Sequence, residues 1–322
     1  MVSPWVHRAV VSAGKLRRRR RGPLRAGWSV EVEAWTRVMH HYARRSTWLP
    51  LELQRRAIHV MVPPPGQPDD LELEPTRLGG VPCLWIRPRA ADPARTLVYL
   101  HGGGYSIGSI HSHQDFITRL AREAGVYAVA VDYRLAPEHP YPAALEDARR
   151  VWSALLASGV DPARAVIAGE SAGGGLTLST LVALRDAGEP LPSGAALLSP
   201  WLDLTLSGAS IDANARYDYL PRDVLEVYVR RFLRDVPADH PLVSPLFAEH
   251  HGLPPLLVQA GEAEAIVDDS RRFHERARAA GVEAELTVYD DMIHAFMLLT
   301  GMPHADRAVR ELTRFIAART DG

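Results

Sequence analysis

From about residue 96 onward the chain alternates short, continuous apolar runs with longer stretches whose apolar positions recur every three or four residues. The short runs predict strands at 96–100, 127–132, 165–168, 195–198, 256–259 and 285–289, and the amphipathic stretches predict helices near 112–123, 143–157, 172–186, 270–280 and 305–318. Strands that are apolar throughout are buried on both faces, which points to a largely parallel sheet covered by helices. Two more polar segments, 71–77 and 82–87, are expected to form an antiparallel edge. No strand pattern occurs between Trp201 and Pro245, where 222–233 reads as an inserted helix. Ahead of the sheet, residues 1 to about 27 are polar and basic. Val30, Val32, Trp35, Val38 and Met39 then recur near helical spacing, and the proline-rich run from Pro63 to Pro68 ends the segment. The expected organisation is an N-terminal helical extension over 1–68 and one α/β domain over 69–322, with no internal repeat.

Composition narrows the class. At 322 residues with 47% hydrophobic and 23% charged residues, the chain can bury roughly three quarters of its unfolded surface, so disorder is excluded as its main state. Its longest apolar stretches, such as 124–131, fall far short of the roughly 18 residues of a membrane span, so no membrane insertion is expected. Cys83 is the single cysteine; it allows neither an internal disulfide nor a thiolate zinc site, and a reducing, cytoplasmic location follows as the expectation. A net charge of −1 supplies no global field for nucleic acid. Arg17 to Arg21 form a local basic run, read as a solvated tail, with an RNA, lipid or partner site as the alternative. The pairs His40-His41 and His111/His113 lack carboxylate or cysteine partners at ligand spacing; they are read as surface or capping residues, and no metal is expected.

The sharpest chemical signal is Gly169-Glu170-Ser171-Ala172-Gly173, which follows an apolar strand and opens a helix. A serine on such a turn is presented at the carboxyl end of the sheet, and flanking glycines remove side chains that would clash as the chain reverses. Seventy residues upstream, His101-Gly102-Gly103-Gly104-Tyr105 also follows a strand. Its unobstructed backbone N–H groups, with that of Ala172, form a candidate oxyanion hole for acyl transfer. Gly102, Gly103 and Ala172 are the expected donors, with Gly104 as a further candidate. A serine hydroxyl needs a base, and among 14 histidines His294 alone directly follows the last strand. His101 is expected to hold the glycine loop without transferring protons.

These motifs, together with Asp132-Tyr133-Arg134-Leu135-Ala136-Pro137-Glu138 and Asp291-Met292-Ile293-His294, resemble the hormone-sensitive lipase family of α/β-hydrolases, the bacterial family IV esterases. The resemblance spans about residue 70 to the C-terminus. It implies an α/β-hydrolase fold with a mostly parallel central sheet, no cofactor, and a serine–acid–histidine triad. It also implies a helical cap built from the N-terminal segment and an insertion at about 205–240. The family usually carries Asp-Pro-Leu-x-Asp after the penultimate strand, whereas this chain reads Gly261-Glu262-Ala263-Glu264-Ala265-Ile266-Val267-Asp268-Asp269. Matching the second aspartate to Asp268 puts the triad acid at Glu264; Asp268 is the alternative. Glu170 is read as a structural carboxylate. Tyr105, Trp201 and Phe296 are candidate pocket walls or core residues. The implied activity is hydrolysis of a small-molecule, short-chain acyl ester, acetyl esters included. An amide or N-acetyl hydrolase is the enzymatic alternative, and a ligand-binding receptor without turnover is the non-enzymatic one. A homo-oligomer is compatible with all three.

Overall fold

The computed structural model describes residues 4–61, 69–299 and 302–322; the Pro63–Pro68 break, and with it the expected boundary at residue 68, lies outside the described residues. In chain order the strands are β1 (Leu71–Leu78), β2 (Val81–Pro88), β3 (Asp92–Leu100), β4 (Val126–Val131), β5 (Ala165–Glu170), β6 (Gly194–Leu198), β7 (Leu256–Gly261) and β8 (Ala284–Tyr289). They form one sheet in the order β1-β2-β4-β3-β5-β6-β7-β8, parallel from β4 to β8 and antiparallel at the β1–β2–β4 edge. The helices are α1 (Pro4–Arg21), α2 (Val30–Ser46), α3 (Leu51–Met61), α4 (Ile110–Ala124), α5 (Ala143–Ala157), α6 (Ala172–Asp186), α7 (Ser210–Ala213), α8 (Arg222–Leu233), α9 (Val267–Ala279) and α10 (Pro303–Thr320).

Side chains alternate along each strand, so the sheet feeds two cores. Leu97, Tyr99, Val166 and Ala168 pack under Phe116 and Leu120 of α4 and Leu312 and Ile316 of α10. Val98, Leu100, Ile167 and Leu197 pack under Trp152 and Leu155 of α5, Leu178 and Leu181 of α6 and Phe273 of α9. Each fully buried leucine or isoleucine contributes about 1.5–3 kcal/mol, and both faces being covered explains why β5, β6 and β7 are apolar throughout. Because the central strands are parallel, the segments following β3, β5, β7 and β8 all emerge at one edge of the sheet, where ligand sites of α/β folds lie.

Within the N-terminal segment, residues 4–21, whose basic run is read in the sequence as a solvated tail, are helical, although few apolar positions mark a face there. Alanine, arginine and leucine favour helix intrinsically, and packing supplies the rest. Gly14 lies so close to α2 that an added Cβ would sit 2.8 Å from Ala34 Cβ. Among the described residues, no helix is long and apolar enough to cross a membrane.

Candidate active site

Ser171 joins β5 to α6 with φ +56° and ψ −122°, a left-handed conformation that a β-carbon disfavours. The turn is over-determined by its surroundings. Ser171 N–H donates to Leu198 O (2.9 Å), Trp201 N–H donates to Ser171 O (3.0 Å), and any Cβ on Gly169 or Gly173 would collide with the backbone of β3's end. These contacts hold the serine at the mouth of β5, where its side chain lines a cavity.

His294 lies in the turn after β8 and lines the same cavity. It is 3% exposed, and its Nδ1–H donates to Oε2 of Glu264 at 2.9 Å, leaving Nε2 as the nitrogen that can exchange a proton. Glu264 is fully buried behind it in the turn after β7, and its other oxygen, Oε1, accepts from Gly261 N–H at 2.7 Å. Burial lowers the pKa of His294. The Glu264 hydrogen bond and charge, with Asp218 and Glu170 nearby, outweigh that effect, so the net shift is upward. Asp268, the alternative acid, is engaged elsewhere: Oδ2 accepts from Ser210 N–H at 2.8 Å and Oδ1 from Arg271.

Several residues that sequence reasoning did not select brace this arrangement. The amide of Asn214 donates to the carbonyls of Glu262 and Glu264 (3.0 and 2.9 Å). Asp218, buried and pushed up to about 6 by desolvation, accepts from the backbone N–H of Ala265 at 2.6 Å. Arg25 reaches from the segment between α1 and α2 to Glu262 and Asp291, both at 2.7 Å, tying together the turns that carry Glu264 and His294. Trp28 Nε1–H donates to Asp291 O at 2.6 Å. No local motif marks these residues, because their partners lie 47 to 266 positions away in the chain.

The glycine loop follows β3. Gly103 and Gly104 have φ +114° and +58°, and a Cβ on Gly104 would meet the Tyr228 ring at 2.6 Å, so bare backbone faces the cavity there. Gly102 departs from the expectation for an oxyanion donor. Its N–H donates to Oε1 of Glu170, whereas among the described residues no acceptor is recorded for the N–H groups of Gly103, Gly104 or Ala172. Glu170 also accepts from Tyr99 Oη–H (2.6 Å) and from His113 Nε2–H (2.8 Å). His113 is therefore no surface or capping histidine: its side chain is almost fully buried beside Glu170, with Nδ1 3.1 Å from Ser109 O. Burial lowers the pKa of His113, and the charge and hydrogen bond of Glu170 raise it further than that; Glu170 is correspondingly low. His101 stacks between Tyr133 and His113, donates Nδ1–H to Gly102 O at 2.7 Å, and is pushed down to about 4, chiefly by burial.

The cavity holds about 500 Å³ and is largely apolar, with Ser171, His294, Glu170, His113, Ser46 and Ser112 among its polar lining residues. Trp35, Met39 and Tyr42 of α2, Ile58 of α3, and Val224, Leu225 and Tyr228 of α8 form its walls. Of the three aromatic candidates, Trp201 lines it. Tyr105 instead stacks on Phe232 at 3.8 Å, and Phe296 packs on Tyr289 in the core under α10. Among the described residues, no group of three or more histidines, cysteines, aspartates or glutamates is placed to hold a metal ion.

Comparison with known proteins places this geometry. Residues 97–298 match a family described as alpha/beta hydrolase fold. An acetyl-hydrolase of Streptomyces hygroscopicus is 40% identical over 245 residues, covering 76% of this chain and 82% of that protein. An esterase of Acinetobacter venetianus is 37% identical over 248 residues, with the same coverage of 76% and 82%. Among solved structures, an esterase from the bacterial hormone-sensitive lipase family superposes with a TM-score of 0.83 at 38% identity, covering 88% of this chain and 98% of that one.

Proposed function

Because this chain belongs to the bacterial hormone-sensitive lipase family of α/β-hydrolases, and is a carboxylic ester hydrolase, we propose that it cleaves short-chain acyl esters through an acyl-enzyme on Ser171. The observation that carries this reading is the buried Glu264–His294 pair opening onto the same cavity as a serine on a strained turn. Ser171 Oγ attacks the ester carbonyl while His294 Nε2 takes its proton, and Glu264 stabilises the imidazolium through Nδ1–H. The N–H groups of Gly103, Gly104 and Ala172 receive the oxyanion. Gly102 acts one step back, its N–H anchored on Glu170. Collapse of the tetrahedral intermediate expels the alcohol, which takes the proton from His294. A water activated by His294 then releases the acid and restores the serine.

Helices α2 and α3 and the 205–240 insertion act as a cap, a reading supported by the cavity walls they supply. A cavity of about 500 Å³ shared by acyl and alcohol groups favours acyl chains of roughly two to eight carbons. The likeness to a protein named acetyl-hydrolase supports acetyl groups as substrates, and extends the reading to N-acetyl amides if the departing amine can be protonated. The proposed setting is the cytoplasm, with the lone Cys83 buried and reduced. This reading needs a small-molecule acyl ester as its partner and is compatible with a homo-oligomer. The test pairs organophosphate labelling with a screen of p-nitrophenyl esters. Ser171→Ala should abolish labelling, and acetate to octanoate esters should turn over best. Undiminished labelling of the variant, or preference for chains of sixteen or more carbons, would overturn the reading.

A further inference from the structure

The near-neutral total charge conceals a division within the chain. Residues 1–60 carry 13 arginines and lysines against three acidic residues, whereas residues 61–322 carry 24 against 35. The imbalance is sharpest in α1, which has seven arginines and lysines and no acidic residue. Two of the seven are engaged within the fold: Arg17 pairs with Glu33 and Arg18 donates to Trp28 O. The other five, Arg8, Lys15, Arg19, Arg20 and Arg21, are exposed and form no salt bridge among the described residues.

Apolar exposure is concentrated in the same N-terminal stretch of the chain. The large hydrophobic side chains exposed among the described residues are Trp5, Leu16, Val38, Trp48, Leu49 and Leu53, all within the first 53 positions. Trp48 is 89% exposed and Trp5 69%. Along α1, exposed Trp5, Arg8, Ser12, Leu16 and Arg19 recur every three or four residues and so share one face, while Gly14 packs against α2. A helix face that mixes exposed tryptophan and leucine with unpaired arginines suits a surface that is anionic outside and apolar just beneath.

We propose that α1 to α3 form a docking face for an anionic lipid bilayer, on which the protein rests without spanning it. A soluble polyanion would neutralise the arginines but leave Trp5, Leu16 and Trp48 in water, and an uncharged protein groove would cover the apolar groups but leave the arginines unmatched. A bilayer surface satisfies both, because headgroup phosphates meet the guanidinium groups while tryptophan and leucine enter the headgroup–acyl boundary. The acidic remainder of the chain is repelled by the same surface, which orients the molecule with its N-terminal helices toward the lipid. Since α2 and α3 also wall the cavity, the docked face is continuous with the cap over Ser171.

The experiment is co-sedimentation of the full chain with vesicles of phosphatidylcholine alone or with about a third phosphatidylglycerol, at low and high salt. The expected result is binding to the anionic vesicles that salt weakens and little binding to the neutral ones. Replacing three arginines together (Arg19→Ser, Arg20→Ser, Arg21→Ser) should weaken partitioning at least about tenfold. Trp5→Ala combined with Leu16→Ala should weaken it several-fold at unchanged charge. Turnover of a water-soluble acetyl ester, as a check on folding, should stay at the wild-type level in both. Absence of binding to anionic vesicles at low salt, or binding indifferent to the arginine replacements, would overturn the proposal. So would duplex DNA binding as tight as vesicle binding and unaffected by the Trp5 and Leu16 replacements, which would make this a nucleic-acid site. Self-association lost in the Trp5 and Leu16 variant, without vesicle binding, would make the occupant a second copy of the chain.

Discussion

Two buried histidine–glutamate pairs flank Ser171, and the same chemical couple is arranged for different tasks. At the ends of β7 and β8, His294 gives Nδ1–H to Glu264 and keeps Nε2 for the cavity. At the end of β5 and the start of α4, His113 gives Nε2–H to Glu170 and holds Nδ1 against Ser109 O, so both nitrogens are occupied. In the proposed mechanism the first pair moves a proton, whereas the second, with both ring nitrogens bonded, fixes the carboxylate that anchors Gly102. The lesson is that a histidine is assigned as a base by which nitrogen its neighbours leave free, and proximity to the nucleophile is insufficient.

The comparison breaks most sharply if the two histidines are exchanged for glutamine. His294→Gln should lower kcat by about 10⁴-fold with the fold intact, whereas His113→Gln should lower it only about tenfold, through a displaced glycine loop. Equal losses, measured as kcat on p-nitrophenyl acetate, would erase the distinction drawn between the pairs.

The acid of the first pair is the next test. Glu264→Ala should reduce turnover roughly a hundredfold or more, because the imidazolium loses its partner, and Asp268→Ala should cost far less, because Asp268 serves Ser210 and Arg271. The reverse order would move the acid to Asp268. A smaller effect is expected at Arg25, which the second pair has no counterpart for. Arg25→Ala frees the turns holding Glu262 and Asp291 and should lower kcat several-fold while leaving KM nearly unchanged, since Arg25 does not line the cavity.

The smallest effect is on stability against pH. His113 is raised in the fold, so its contribution is complete below its unfolded value of about 6.5 and is lost as pH rises through the folded value. Glu170 is lowered, so its contribution is present above the ordinary carboxylate range of about 4.3 and is lost as pH falls through its folded value. The melting-temperature gap between wild type and His113→Gln should therefore be widest near pH 5 to 6 and narrow toward pH 9. A gap that widens with pH would contradict the assigned charge state.

How much of this was legible in the sequence varies with the range of the interactions concerned. Ser171 is readable because strand, glycine-flanked serine and helix are contiguous, and that local order is what forces the turn. His294 is readable through its place directly after the last strand, and Glu264 through the family resemblance, which matches Asp268 to the motif's second aspartate; the parallel sheet delivers both strand ends to one edge. In the proposed reading the oxyanion donors shift by one glycine from the expected Gly102 and Gly103 to Gly103 and Gly104. Three consecutive glycines look alike in the sequence, and only the approach of Glu170, 68 positions away, removes Gly102 and leaves Gly103 and Gly104 facing the cavity. His113 looked like half of a surface pair because its partner Glu170 is also far along the chain.

The sheet, its two helical layers and the order of the chemical groups are legible in the sequence, because hydrophobic periodicity and turn chemistry act over a few residues and are written there directly. Which hydrogen-bonding groups stay free was settled by long-range packing: Nε2 on His294 and no nitrogen on His113, the second and third glycines but not the first. It likewise turned Tyr105 and Phe296 into the core and left Trp201 at the cavity. The physical reason is that a buried polar group must find a partner, and which partner reaches it depends on contacts between segments dozens to hundreds of residues apart.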